Sequence, residues 1–397
     1  MKVLIVLYAL LASINAAAQI KIDQAMVQYV GSSVLRGSSD AVIVGNVPLV
    51  HTKQFLPLNG SGAIVGQGNV GSQLDQVFEN ISKSLKRSGS GADQIIKLNV
   101  FLTNTDLIPE VQSLISRKFN TGKKPSVTLA IGELAHPDAL ISIDAIAVSK
   151  LKSNRVRFTD TKVNEEASSA ILPAGPVVYV SGQAAKGDLA QATRTTLKQL
   201  SETLSSLGLT IKDVVQIKSF LTPMSSLNIV KKEFTDFFKG ETIPPLVFVD
   251  WISADPVIEI ELIASSPIQS AKGAQVEYIT PPGMAPSPVY SKVSRLNYGK
   301  KVYLSGLYGV SSGNTDSEVN SLFGSMGSVL GASGSDFNNL LKATYYISNE
   351  QYSKSLGVLR PKYYDPKRPP AASKAMLKGI GLNGAGISVD MIGTVRE

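Results

Sequence analysis

Three stretches of this 397-residue chain repeat one another at fixed spacing. Val77-Phe78-Glu79-Asn80-Ile81-Ser82-Lys83-Ser84-Leu85 matches Thr196-Leu197-Lys198-Gln199-Leu200-Ser201-Glu202-Thr203-Leu204, a shift of 119 from position 77 to 196. It matches again at Leu322-Phe323-Gly324-Ser325-Met326-Gly327-Ser328-Val329-Leu330, a shift of 126 from 196 to 322. The same shifts carry Phe101-Leu102 onto Phe220-Leu221 and Tyr346-Ile347, and Val111 onto Val230 and Leu356. A period kept over several elements means one supersecondary unit used three times, which constrains the fold more than any single motif.

Each unit reads as β-β-α-β-α-β-β. Leu197, Leu200, Leu204 and Leu207 recur at the spacing of one helical face. Gly89, Gly208 and Gly334 follow the first helix of each unit, where a left-handed cap favours glycine. The second helix shows Val230, Phe234, Phe237 and Phe238 on one side, and the last strands are 141–148, 258–264 and 387–392. Turn-rich stretches at 149–154 and 265–273 divide the chain into units 19–152, 153–272 and 273–397. Thr280–Pro288 reads as a loop inside the third.

Residues 1–18 differ in kind. Lys2, an apolar run from Val3 to Ala12 and the small residues Ala16-Ala17-Ala18 describe a signal peptide, too short in its apolar part to span a bilayer. A secreted or periplasmic protein is the expectation, with no membrane span. With no cysteine, thiolate chemistry and disulfides are excluded, so the core must stabilise the fold. The net charge of +8 is spread over solvated pairs such as Lys86-Arg87 and Lys231-Lys232 rather than one basic face, which argues against nucleic acid as partner.

The middle unit holds Val178-Tyr179-Val180-Ser181-Gly182-Gln183, Gly208-Leu209-Thr210-Ile211-Lys212-Asp213-Val214-Val215, Ser219-Phe220-Leu221, Ile243-Pro244-Pro245 and Ile258-Glu259-Ile260-Glu261-Leu262-Ile263-Ala264. This series resembles the RidA family (YjgF/YER057c/UK114, L-PSP-like), and the flanking units follow it more weakly. The resemblance implies an α/β (α+β) fold of chorismate-mutase-like units, each a mixed sheet with two helices on one face. Family members are homotrimers with pockets between subunits, so three units in one chain imply a covalent, monomeric pseudo-trimer around a central barrel.

Family deaminases hold the substrate carboxylate of an enamine or imine with an arginine just after the proline of the penultimate strand. The matching positions here are Val127, Leu246 and Ala372, none of them basic. The family's water-activating glutamate falls on Glu259, with Ser142 and Ser388 in the other units. Its early tyrosine matches Tyr290. Its Ser-Gly pair survives as Ser181-Gly182 and Ser305-Gly306 and becomes Thr52-Lys53 in the first unit.

Each of these residues has a plainer reading. Glu259 is either the water-activating carboxylate or a structural acid paired with Glu261 on one strand face. Ser181 and Ser305 are nucleophiles only beside a base, and otherwise close a tight turn. His51 and His136 stand apart with no acid cluster, so neither a metal nor another cofactor is called for. Three function classes remain: a binding protein using inter-unit clefts for a small molecule or a protein; a hydrolase or deaminase acting on non-carboxylate substrates through Glu259; and a ring-opening amidohydrolase using Ser-Lys pairs, against which Thr52 counts.

The tripartite pattern makes a direct prediction. N-terminal sequencing of the protein from its native host should begin near Gln19, and an intact Met1 on cytoplasmic protein would refute export.

Overall fold

The structure is a computed structural model that describes residues 26–35, 37–120, 122–266, 273–310 and 313–397. The expected signal segment and residues 267–272 of the second boundary stretch lie outside the described residues. The first unit contains β1 (Val27–Val30), β2 (Ala41–Val44), β3 (Leu49–Thr52), α1 (Val70–Arg87), β4 (Ile95–Leu102), α2 (Ile108–Lys118), β5 (Ser126–Ile131) and β6 (Ile141–Val148). The second contains β7 (Arg157–Thr159), β8 (Ser169–Leu172), β9 (Val177–Gln183), α3 (Leu189–Ser206), β10 (Val214–Leu221), α4 (Leu227–Phe237), β11 (Leu246–Asp250) and β12 (Ile258–Ser265). The third contains β13 (Val276–Ile279), β14 (Val293–Leu296), β15 (Lys301–Leu304), β16 (Leu307–Tyr308), α5 (Thr315–Ala332), β17 (Leu340–Ile347), α6 (Glu350–Leu359), β18 (Ala371–Met376), β19 (Gly379–Ile380) and β20 (Ile387–Thr394). The α/β units expected from sequence are present, each with one further short strand at its start, and the third also with the two-residue strands β16 and β19.

Local chemistry fixes the first helices. Asn69, Asp188 and Asn314 cap α1, α3 and α5 by accepting the N–H groups of Ser72, Gln191 and Ser317. Gly89 and Gly208 follow α1 and α3 at φ +66° and +72°, a backbone that any Cβ would strain. Each helix then buries its apolar stripe on one sheet. Leu74, Val77, Ile81 and Leu85 do so in the first unit, and Leu197, Leu200 and Leu204 in the second. Among the described residues, no helix is long and apolar enough to cross a membrane.

The sheets are not drawn one per unit. Their strand orders are β19-β5-β4-β6-β3-β8-β7, β11-β10-β12-β9-β14-β13 and β1-β2-β15-β20-β17-β18. Each unit's opening strand pair therefore completes the preceding unit's sheet. The β7–β8 pair adds to β3, the β13–β14 pair adds to β9, and β1–β2 closes the cycle on β15 of the third unit. The chain is a strand-exchanged ring, and the pseudo-trimer is interlocked as well as fused.

The sheet faces turned away from the helices meet around a common axis. Val44, Ile146, Tyr179, Ile263, Tyr303 and Ile392, drawn from all three units, form one apolar layer there. Next to it lies a buried charged layer in which Lys97 pairs with Asp390 at 2.7 Å and Lys342 with Glu261 at 2.6 Å, both across unit boundaries.

Strand exchange is testable because the chain has no cysteine. Ile43 is the register partner of Val302. Were β2 to fold back on β3 across residues 45–48, Val50 would face Ile43 instead. Paired strand positions lie within disulfide reach. Mild oxidation should link Ile43→Cys/Val302→Cys within one chain and leave Ile43→Cys/Val50→Cys unlinked. The reverse result would refute the exchange.

Candidate functional site

Three clefts arise where the end of one unit's early strand meets the penultimate strand of the next. Val127, Leu246 and Ala372 occupy one structural position, since their register partners Leu98, Ile217 and Ala343 are themselves equivalent by the shifts of 119 and 126. The register also corrects one expectation. Lys53 donates its N–H to Ser168, as Ser181 does to Lys292 and Ser305 to Asp40. The counterpart of the Ser-Gly pairs is thus Lys53-Gln54, not Thr52-Lys53.

In the cleft between the first and second units, Gln54 fills its own space. Its Nε2 donates to Ser142 Oγ at 3.0 Å, its Oε1 accepts the Phe248 N–H at 3.1 Å, and its main-chain N–H bonds Leu246 O. Outside this plug lies a cavity of about 340 Å³ whose lining includes Lys53, Phe55, Glu166, Lys231, Leu246 and Phe248. Lys53 stands 3.7 Å from Glu166 and 5.8 Å from the Phe55 ring centre, and Lys231 lies 5.9 Å over Phe248. Burial raises the Glu166 carboxyl above its usual range, with Lys53 opposing. Glu166 carries no motif in the sequence, whereas Lys53 belongs to the Thr52-Lys53 pair singled out there and Lys231 lies on α4.

The cleft between the third and first units is closed. Ser305 Oγ accepts the Val127 N–H at 2.9 Å and donates to Ser39 O at 2.6 Å, while the Gly306 N–H bonds Val127 O at 2.9 Å. A Cβ on Gly306 would meet the Tyr308 hydroxyl at 2.9 Å. Ser305 is a clasp here, accepting from Val127 and donating to Ser39.

In the cleft between the second and third units the serine at the same place is not engaged in this way. Ser181 Oγ, Gln183 Oε1 and Glu259 Oε1 are sealed from solvent and have no hydrogen-bond partner. The Glu259 carboxyl lies against Gly182, whose missing side chain is the space it occupies. Burial pushes the Glu259 carboxyl up to about 7; Ser373 and Lys374 pull the other way, and Glu261 adds to the rise. Glu261 is the structural member of the pair: it accepts from Ser373 Oγ at 2.7 Å and pairs with Lys342. Tyr290 stands next to Ser291, whose N–H bonds Pro370 O, and two residues from Lys292, whose carbonyl accepts the Ser181 N–H and whose ammonium donates to the Tyr290 hydroxyl. Of the residues expected from sequence, Glu259, Ser181, Gly182 and Tyr290 thus gather here, and Ser305 and Gly306 sit apart.

The axial layer is a separate polar site. A chamber of about 20 Å³ there is lined by residues including Lys97, Asn99, Gln216, Lys218, Lys342 and Asp390, room for about one water. Burial raises Asp144 to about 6, with Lys218 opposing. Burial holds His51 neutral, down to about 3, with both ring nitrogens unpartnered. Among the described residues no group of three or more histidines and acids is placed to hold a metal.

Comparison with known proteins adds to this geometry. The family model described as Endoribonuclease L-PSP matches residues 33–149 and 162–266. The mitochondrial protein MMF1 of Saccharomyces cerevisiae is 31% identical over 119 residues, 30% of this chain and 74% of that protein. A RutC family protein of Pyrococcus abyssi is 27% identical over 28% of this chain and 84% of its own length. Among solved structures, yeast Mmf1 aligns at 28% identity over 31% of this chain and 99% of its own, with a TM-score of 0.24. A Rid family protein of Yersinia pestis aligns at 20% identity over 31% and 98%, with a TM-score of 0.29.

The raised carboxyl makes a stability prediction. An acid whose folded pKa exceeds its unfolded value destabilises the fold progressively as pH rises from the unfolded pKa, 4.5, to the folded one, about 7. Glu259→Gln should therefore be more stable than the parent at pH 8, by up to about 3 kcal/mol. The gain should vanish near pH 4.5. Thermal melts across that range check it, and a variant equally or less stable at pH 8 would count against the sealed carboxyl.

Proposed function

This chain belongs to the Endoribonuclease L-PSP family, and from that premise we propose that it is an exported, monomeric binding protein whose inter-unit clefts take small molecules and no longer run imino-acid deamination. The observation that carries the reading is self-occupation. Where a family deaminase would place a substrate carboxylate on arginine, this chain has Val127, Leu246 and Ala372, and the space beside each is taken by its own Tyr308, Gln54 or Glu259. A carboxylate brought there would be desolvated without a partner, which is costly, and would lose the clamp that aims the reacting carbon.

The open volume between the first and second units supports the ligand reading. Its walls are aromatic at Phe55 and Phe248 and cationic at Lys53 and Lys231. That combination suits a small aromatic anion: ring contact supplies apolar burial, and ammonium groups supply charge-assisted hydrogen bonds. A second reading rests on Glu259. A carboxyl titrating near neutrality is matched to general acid–base work, and it favours hydrolysis of an uncharged imine in the cleft between the second and third units.

Two outcomes follow. In a coupled assay that generates 2-aminoacrylate the protein should give no turnover above buffer, and turnover comparable to an arginine-bearing relative would sink the reading. In a calorimetric titration with benzoate, the wild-type protein should bind and Lys53→Ala/Lys231→Ala should lose about tenfold or more in affinity. Equal binding by both would remove this cleft from consideration.

A further inference from the structure

The clefts satisfy one strand N–H in different ways. Between the third and first units, Ser305 Oγ accepts the Val127 N–H. Between the first and second units Lys53 stands at that serine position, and an ammonium has no lone pair with which to accept. The equivalent Leu246 N–H is taken instead by Glu166 Oε1 at 3.1 Å, while Glu166 Oε2 stands 3.7 Å from Lys53 Nζ. Glu166 comes from the segment between β7 and β8. The N–H groups of Ser39, Ala167 and Ser291 donate to Pro125 O, Ile243 O and Pro370 O, so the residues before them, Ser38, Glu166 and Tyr290, are equivalent. A carboxylate thus stands in this cleft where the others have a serine and a tyrosine.

One oxygen on a main-chain N–H and the other facing an ammonium is how a bound anionic ligand would be held. Glu166, Lys53, Leu246 and Phe248 all line the 340 Å³ cavity, so this internal carboxylate borders the space a ligand would enter. At 3.7 Å the Lys53 contact is an ion pair without a hydrogen bond, and the two side chains keep 30% and 25% of their exposure, so little is lost when they part. The other charges lining the cavity are placed as follows. Lys83 pairs with Glu79 and Arg87 with Asp160, while Lys231 lies over Phe248 and forms no ion pair among the described residues. Burial raises the Glu166 carboxyl, with Lys53, the Leu246 N–H and Lys231 opposing, so its ionised form is held less well than in water.

We propose that Glu166 is a built-in competitor in the cleft between the first and second units, and that a small aromatic carboxylate or sulfonate binds by displacing it from Lys53 and the Leu246 N–H. This deepens the cleft-binding reading and rests on it. The site lies outside the Gln54 plug, at the main chain of Leu246. The incoming oxygens meet the two donors Glu166 gives up, Lys231 adds charge, and the ring finds Phe55 and Phe248 in the same cavity. A tethered carboxylate competes at high effective concentration, so Glu166 decides which anions bind. It also couples binding to pH. Ionised Glu166 holds the donors and repels the ligand, whereas protonated Glu166 frees Lys53 and repels nothing. Binding therefore strengthens as pH falls, with uptake of a proton.

The probe is benzenesulfonate, anionic throughout, titrated calorimetrically from pH 8 to pH 4.5 at constant ionic strength. Wild-type protein should bind more tightly at the lower pH. At intermediate pH the heat should depend on the buffer's ionisation enthalpy, as proton uptake requires. Glu166→Gln keeps an acceptor for Leu246 and drops the charge. It should bind at least about tenfold more tightly than wild type at pH 8, with a flat pH profile. Glu166→Ser, which installs the residue of Ser38, serves if the glutamine variant does not fold, with the same gain expected. Glu259 and Asp144 also titrate in this range, but in another cleft and on the axis. A pH dependence that survives in the Glu166 variant would belong to them and overturn the competitor. Equal or weaker binding by the variant at pH 8, the outcome for a merely structural Glu166, overturns it too while leaving the cleft-binding reading intact. That reading fails by a different measurement, the absence of benzoate binding in wild type and variant alike.

Discussion

The pairing of Ala41–Val44 with Lys301–Leu304 is the contact on which the ring depends. It joins the first strands of the described chain to the last unit. Without it, β15 would present an open edge and the third sheet would lose two strands. It also sets the order of events, because the opening pair has no sheet to join until the third unit exists. Contacts between residues some 260 positions apart place the fold among those with high loop-closure cost and slow assembly.

Closure in turn dictates what the axis can hold. Lys97 of the first unit satisfies its three donors on Asp390 and Leu304 O of the third and on Thr128 of its own. Lys342 of the third reaches Glu261 of the second. Buried pairs of this kind add little net stability over apolar packing, yet separating the partners leaves charges unpaired in a medium that solvates them poorly. The charged layer thus works as a register key: three units in the right rotational order satisfy it, and a slipped arrangement does not. Asp144 accepts from Asn99 at 2.9 Å, and burial outweighs both that bond and the nearby Lys218 to leave its carboxyl raised.

Much of this was legible in the sequence and some was not, for physical reasons. The helices announced themselves because each must bury one stripe, so Leu197, Leu200 and Leu204 recur at fixed spacing and repeat at fixed shifts. Strand exchange left no trace. A pair such as Ser169–Leu172 shows the same buried pattern whether it joins β9 or β3, since alternation reports which face is covered and not by whom. The one-residue error at Thr52-Lys53 has a similar source. Position 53 maps to 181, a shift of 128, whereas α1 maps to α3 at 119, because the Gly60–Gly68 loop lengthens the first unit between strand and helix. The edge strands β1, β7 and β13 are three or four residues long and only partly buried, too short to show a period. The candidate site was legible where one residue type is diagnostic, as at Glu259. It was hidden where the residue comes from outside any repeat motif, as at Glu166 beside Lys53.

The three clefts show how a fused trimer differs from one built of identical subunits. In a homotrimer every substitution appears in all three clefts at once, so a change that locks a cleft abolishes function everywhere. In a single chain each cleft answers to its own residues. Here the cleft between the third and first units has become a clasp, with Ser305 and Gly306 bonding across to Val127 and Ser39. The cleft between the first and second units keeps an open basic and aromatic cavity outside a glutamine plug. The cleft between the second and third keeps three unsatisfied polar atoms, one of them on the acid Glu259. One cleft can then carry the mechanical work of closing the ring while the others tolerate unsatisfied groups. Those groups are destabilising by about 1–3 kcal/mol each where they are buried, and that cost is sustainable because the clasp does not depend on them. Separating stability from recognition in this way follows directly from repeating one unit three times within one closed chain.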